Sequence, residues 1–189
     1  MSDPQGIDVA YPQGPHYDWA QWKGKISFGM CKVTEGLTIT DPDWVDNWNS
    51  MWELNRLMPR FGYHFFHASD DVDNLVLDLE ATSGNSTNDG VAPATVARRA
   101  RDFLHRVNAL APGHRCLVYT NPSFAGTGAC AGLDAWFLWI ADYGVSSPAA
   151  PKPWSKWTFW QYGDSPVDTD RFNGTEAELL SFTNMPRSR

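Results

Sequence analysis

The chain is short of positive charge, of cysteine and of long apolar runs. Fifteen Lys and Arg stand against 22 Asp and Glu, a formal charge of −7. A nucleic-acid binder usually carries a basic patch, so no nucleic-acid partner is expected. No apolar run approaches the roughly 18 residues of a membrane-spanning helix, so no membrane partner is expected either. The opening Met1-Ser2-Asp3-Pro4-Gln5 has neither the basic n-region nor the apolar h-region of a signal peptide. Three cysteines, Cys31, Cys116 and Cys130, are too few and too scattered for a disulfide framework or a zinc site. Cys31 and Cys116 lie in apolar runs and read as small buried hydrophobes; a 116–130 disulfide is not expected. An odd cysteine count fits synthesis in a reducing cytosol. No cofactor motif, internal repeat or linker is visible, so residues 1–189 read as one domain.

What is abundant is aromatic. Ten Trp, ten Phe and six Tyr make 14% of the chain. Such a surplus suits either an aromatic core or a groove that stacks on sugar rings, because an aromatic face is apolar and its rim can hydrogen-bond.

Short apolar runs alternate with helical patterns. Strands are predicted at 6–9, 26–35, 62–66, 75–80, 116–120, 137–143 and 158–162, with an eighth at 167–170. Asp18 is placed to cap a short helix through Trp19 and Trp22. Asp41-Pro42 reads as an N-cap followed by Pro, opening a helix with an apolar stripe of Trp44, Trp48, Met51 and Trp52. Residues 93–110 form a second helix, and Thr175 with Glu178 a capping box for a last short one. Strand–helix alternation giving way to strands argues an α/β parallel sheet. Eight strands suggest a TIM-like barrel, whose active site lies at the C-terminal strand ends.

The acids fall at those ends. Asp8, Asp78, Glu80 and Asp168 each sit on or just past a predicted strand. Along 75–80, Leu75, Leu77 and Leu79 face one way while Val76, Asp78 and Glu80 face the other. Positions i and i+2 lie about 6.6 Å apart. At that spacing one carboxyl raises the pKa of the other, so one stays protonated beside an ionised neighbour. Glycoside hydrolysis needs such a pair. An isolated D-x-E also serves as an ordinary strand-end ion-pair site; several converging acids favour chemistry, because buried carboxylates are costly.

Nine segments in order now resemble one family. Gly6-Ile7-Asp8-Val9, Asp18-Trp19, Cys31-Lys32-Val33-Thr34-Glu35-Gly36, Gly62-Tyr63-His64-Phe65-Phe66 and Leu77-Asp78-Leu79-Glu80 open the series. Val118-Tyr119-Thr120, Leu138-Trp139-Ile140-Ala141-Asp142-Tyr143, Phe159-Trp160-Gln161-Tyr162 and Val167-Asp168-Thr169-Asp170 complete it. The chain is similar to glycoside hydrolase family 25, the lysozymes or N-acetylmuramidases of phages and bacteria. The resemblance implies a flattened (β/α)5(β)3 barrel that cleaves the β-1,4 bond between N-acetylmuramic acid and N-acetylglucosamine in bacterial peptidoglycan. It implies Glu80 as general acid, Asp78 as the carboxylate orienting the substrate's 2-acetamido group, and Asp8 and Asp168 as the other acids of the site. Asp170 is the rival to Asp168. Tyr63, Tyr119, Trp139, Tyr143 and Tyr162 take strand positions that suit a sugar groove or the core. Lys32, Asp142 and Gln161 are candidate polar groups of the groove, and His64 reads as a hydrogen-bonded structural residue. With no signal peptide, the protein is expected to be made in the cytosol and to reach the wall after release.

Two departures from the family pattern stand out. Only residues 68–74 separate the third and fourth predicted strands, so the helix between them is missing. A parallel crossover usually takes a dozen or more residues. The outward leucines then need another cover: a different element, an altered strand order or a second copy. His64, His67, Asp70, Asp71 and Asp73 cluster there but show no familiar ligand spacing, so no metal is expected and a solvated acidic turn is. As a second departure, no appended wall-binding module is expected, and the domain is then expected to work alone or with a separate wall-binding partner. The alternative function, if the missing helix silences catalysis, is a non-catalytic peptidoglycan-binding protein; a chitin-directed hydrolase is a third reading.

Overall fold

A computed structural model describes residues 3–36, 38–65, 76–81, 88, 90–110, 112 and 115–183. Nine strands form one sheet: β1 (Gln5–Val9), β2 (Phe28–Glu35), β3 (Ile39–Thr40), β4 (Arg60–Phe65), β5 (Val76–Asp78), β6 (Leu117–Thr120), β7 (Phe137–Ala141), β8 (Phe159–Gly163) and β9 (Asp168–Phe172). Their order is β1-β9-β8-β7-β6-β5-β4-β2-β3, and β1 also pairs with β2. That last pairing closes eight strands into the predicted α/β barrel, with the two-residue β3 as an antiparallel extension of β2.

Pairing is parallel from β1 through β2, β4, β5, β6 and β7 to β8. Only β9 runs against its neighbours β8 and β1. One rim therefore gathers the C-terminal ends of seven strands and the N-terminal end of β9. Asp168, the first residue of β9, lies opposite Asp8 in the register.

The barrel interior is filled chiefly by aromatic rings, which absorbs much of the Phe surplus. Phe28, Tyr63, Tyr119, Trp139, Phe159 and Phe172 are all buried there. The closing helix α4 (Glu176–Phe182) plugs the end away from the acids. Its Phe182 ring lies 4.8 Å from Phe137 and 5.7 Å from Phe159. The capping box predicted from Thr175 and Glu178 starts it.

Outside the barrel, α1 (Trp44–Leu54) covers β2. The predicted stripe is corrected here: Met51 and Asn47 are buried, while Trp52 is 42% exposed. Trp52 and Trp48 instead hold the Arg60 guanidinium at 4.7 and 4.4 Å from their ring centres. Asp41 is not the N-cap, which is Asp43. Asp41 fixes the preceding turn by accepting the Asp43 and Tyr11 amides, each at 2.9 Å. Gly29 lets α1 approach: a Cβ there would stand 2.6 Å from the Met51 sulfur.

The amphipathic α2 (Pro93–Leu110) lays Val96, Ala100, Phe103, Leu104 and Val107 on the sheet. Leu77 and Leu79 are fully buried in the same cluster. His64 of β4 also faces outward, stacked on Phe103 at 5.7 Å, with Nδ1 3.0 Å from the Thr34 hydroxyl. One helix thus covers both β4 and β5 and shields Leu77 and Leu79. The shortened connection itself, with Leu75, His67, Asp70, Asp71 and Asp73, lies outside the described residues. Among the described residues no cluster of His, Cys, Asp or Glu is arranged to hold a metal. No described helix is long and apolar enough to cross a membrane. All three cysteines are buried and free.

Candidate active site

The acid-bearing rim opens into a cavity of about 270 Å³. Asp8, Asp78, Glu80 and Asp168 all line it, as do Lys32, Tyr63, Tyr119, Trp139, Tyr143 and Gln161. Strand parity explains the gathering. In β5 and just beyond, Leu77 and Leu79 face α2, so Asp78 and Glu80 must face the opening. In β8, Phe159 and Gln161 face inward between outward Trp160 and Tyr162.

Parity also accounts for two errors. Tyr162, expected in the groove, lies on the outer face, where its hydroxyl donates to Gln5 Oε1 at 2.9 Å and the Arg171 guanidinium covers its ring. Asp142, expected as a groove group, does not line the cavity. Its carbonyl accepts the Trp160 indole N–H at 2.8 Å, and its amide donates to the Gln161 carbonyl at 3.1 Å. Both are one position away from inward residues, so alternation alone would have excluded them. Phe65 was missed. It lies at the C-terminal end of β4, and the Lys32 ammonium sits 5.0 Å from its ring centre.

Burial raises the pKa of every acid at the opening, since it disfavours the charged form. For Asp78 it is reinforced by the neighbouring Glu80 carboxylate and opposed by Lys32, which is ion-paired with Glu35. Glu80 is also raised by burial, against a hydrogen bond from Asn121. Asn121 is fixed for this because its Oδ1 caps the turn α3 (Pro122–Phe124), accepting the Phe124 amide at 2.9 Å. Two adjacent carboxyls of raised pKa hold one proton more easily than none. Glu80 is the less buried of the two. Asp78 Oδ1 is buried with no hydrogen-bond donor among the described residues.

Across the opening a second carboxyl group of three forms. Burial and the nearby Asp164 raise Asp168 to about 6. Asp170 is fully buried below it and is raised to about 8 by burial, against hydrogen bonds from Trp139 and with Asp8. Asp8 is raised well above the carboxylate range by burial, then by Asp170 and Asp168. The rivals Asp168 and Asp170 differ in depth. Asp168 lines the cavity, and Asp170 lies beneath it with the Trp139 indole N–H donating at 2.8 Å.

The aromatic candidates divide as well. Trp139 and Tyr63 meet edge to face at 6.1 Å, and Trp139 and Tyr119 at 4.7 Å. These three form the cavity floor rather than a stacking platform. Tyr143 stands at the rim, 45% exposed.

Comparison with known proteins places this geometry. The profile described as Glycosyl hydrolases family 25 matches residues 68–170. Lysozyme M1 of Streptomyces globisporus is 30% identical over 95% of this chain and 71% of its own length. An N,O-diacetylmuramidase of Arthroderma benhamiae is 29% identical over 94% of this chain and 86% of its own. The bacterial lysozyme structure from Streptomyces coelicolor superposes with a TM-score of 0.82 at 27% identity, covering 97% of this chain and 98% of that one. The eight-stranded barrel, the four acids on one rim and these matches agree: the chain is a glycoside hydrolase and belongs to glycosyl hydrolase family 25.

Proposed function

We propose that the protein is a muramidase that hydrolyses the β-1,4 bond between N-acetylmuramic acid and N-acetylglucosamine in bacterial peptidoglycan, with Glu80 as general acid. The observation that carries this reading is the Asp78–Glu80 pair. Two carboxyls of raised pKa stand side by side in one cavity, the more open one two residues past the strand end. The names of the relatives, lysozyme and N,O-diacetylmuramidase, support the substrate class.

Glu80 gives its proton to the glycosidic oxygen as the bond to the anomeric carbon breaks. The substrate's own 2-acetamido oxygen attacks that carbon, so no enzyme carboxylate need form a covalent bond. Asp78 Oδ1, which has no donor among the described residues, accepts the acetamido N–H and so holds its oxygen in line. Water then opens the cyclic intermediate, returning its proton to Glu80, with net retention. Asp8 and Asp168 face the positive charge that develops on the sugar. In this reading the protein is made in a reducing compartment, which its buried free thiols suit, and acts on the wall after release.

Product analysis on two substrates tests the specificity. Digests of peptidoglycan glycan and of chitin oligomers are compared by mass spectrometry. Muropeptides ending in reducing N-acetylmuramic acid, with chitin oligomers intact, are expected. Cleavage of chitin at a similar rate contradicts the reading.

A further inference from the structure

Gln161 was expected to be a polar contact for sugar, yet its side-chain oxygen already takes two donors and its nitrogen is engaged with Asp8. It is 3% exposed. Its Oε1 accepts the Tyr119 hydroxyl at 2.8 Å and the Tyr143 hydroxyl as well, filling both lone pairs. Its Nε2 donates to Asp8 Oδ2 at 2.6 Å. The reversed amide would turn its carbonyl toward the Asp8 carboxyl oxygen, so the Asp8 contact sets which way the amide points and the two tyrosine hydroxyls hold it there by donating to its oxygen. We propose that Gln161 is a positioning residue: its amide, oriented by Tyr119 and Tyr143, clamps the Asp8 carboxyl beneath the groove instead of binding sugar.

The clamp has a counterpart. Asp170 Oδ1 receives the Trp139 indole N–H at 2.8 Å, and Asp170 Oδ2 is buried with no N–H donor among the described residues. Asp8 and Asp170 hydrogen-bond to each other. Each carboxyl is held by one neutral N–H. The chain of bonds runs from the exposed Tyr143 rim through Gln161 to the buried pair. Groups interacting with Asp8 are Asp168 and Asp170 on β9, Cys31 on β2, Tyr63 on β4, Tyr119 on β6 and Tyr143 after β7. Asp78, Glu80 and Lys32 share the cavity. Lys32 is paired with Glu35, and among the described residues no cation is ion-paired with Asp8, so the Gln161 amide is a principal donor favouring charge on Asp8. Removing it raises the pH at which Asp8 ionises.

The kinetic half of this inference rests on the muramidase reading; the titration half does not. The Asp8 carboxyl carbon is followed by 13C NMR from pH 4 to 9, assigned against Asp8→Asn. Steady-state kinetics on soluble peptidoglycan fragments are measured over the same range. Gln161→Leu is expected to raise the Asp8 midpoint by about one pH unit. It is expected to lower kcat at least tenfold with KM within about twofold, and to move the acid limb of the pH profile upward. If the leucine variant does not fold, the Tyr119→Phe/Tyr143→Phe double variant keeps the amide but frees its orientation, and shifts in the same directions. An unmoved Asp8 midpoint, or a raised KM with kcat unchanged, overturns the proposal. A wild type that leaves peptidoglycan uncut overturns the muramidase reading instead, and the Asp8 midpoint still decides the role of Gln161.

Discussion

Trp139 shows how one side chain serves the core and the site together. Its ring packs between Tyr63 and Tyr119, and its indole N–H is the donor to the buried Asp170. Trp139→Phe keeps most of the packing and removes the donor, leaving a buried carboxyl under-satisfied. A loss of about 1–3 kcal/mol in urea unfolding at pH 7 is expected. Tyr162→Phe removes a bond on the outer face and leaves kcat/KM unchanged; a fall in kcat/KM would return Tyr162 to the groove. These two residues mark what was readable at this scale. The acids were legible because carboxylates at strand ends are costly without a use. Tyr162 and Asp142 were misplaced because family likeness drew attention to segments, while the two-residue period of a strand decides which members of a segment face inward. The role of Gln161 was invisible, since nothing local in the sequence relates it to Asp8, Tyr119 and Tyr143 on other strands.

At the scale of elements, α2 is the cover of both β4 and β5. Its Phe103 stacks on His64 of β4 and packs in the cluster that buries Leu77 and Leu79. Phe103→Ala is expected to cost ~3–5 kcal/mol in denaturant unfolding, because it opens a cavity against two strands at once. A loss under about 1 kcal/mol would mean that α2 is not the cover. The helix itself was legible from its 3.6-residue period, and the leucine alternation announced that something must cover β5. Which element covers it was not, because that depends on how far α2 reaches across the barrel. The β9 reversal was equally unreadable, yet it brings Asp168 to the same rim as Asp78.

For the whole molecule, the buried acids make stability depend on pH in a direction opposite to that of salt-bridged carboxylates. Asp168 is raised to about 6 and Asp170 to about 8, while an unfolded aspartate ionises near ~3.9. Between those values the folded state binds more protons than the unfolded state, so stability is full at the acid end and lost as pH rises through the folded pKa values. Tm at pH 5 is therefore expected to exceed Tm at pH 8, and Asp170→Asn to shrink that difference. A Tm that climbs steadily from pH 5 to 8 would contradict the assigned burial effects. The same rim of proton-holding acids is what the function rests on. The most direct measurement is reducing-end analysis of purified peptidoglycan after incubation with the wild type and with Glu80→Gln, both checked for folding and for wall binding. New muramic-acid reducing ends from the wild type, and turnover lowered more than about 10²-fold in a Glu80→Gln protein that still binds the wall, are predicted. New ends appearing at comparable rates from both proteins, or from neither although both are folded, would contradict a muramidase that uses Glu80 as its acid.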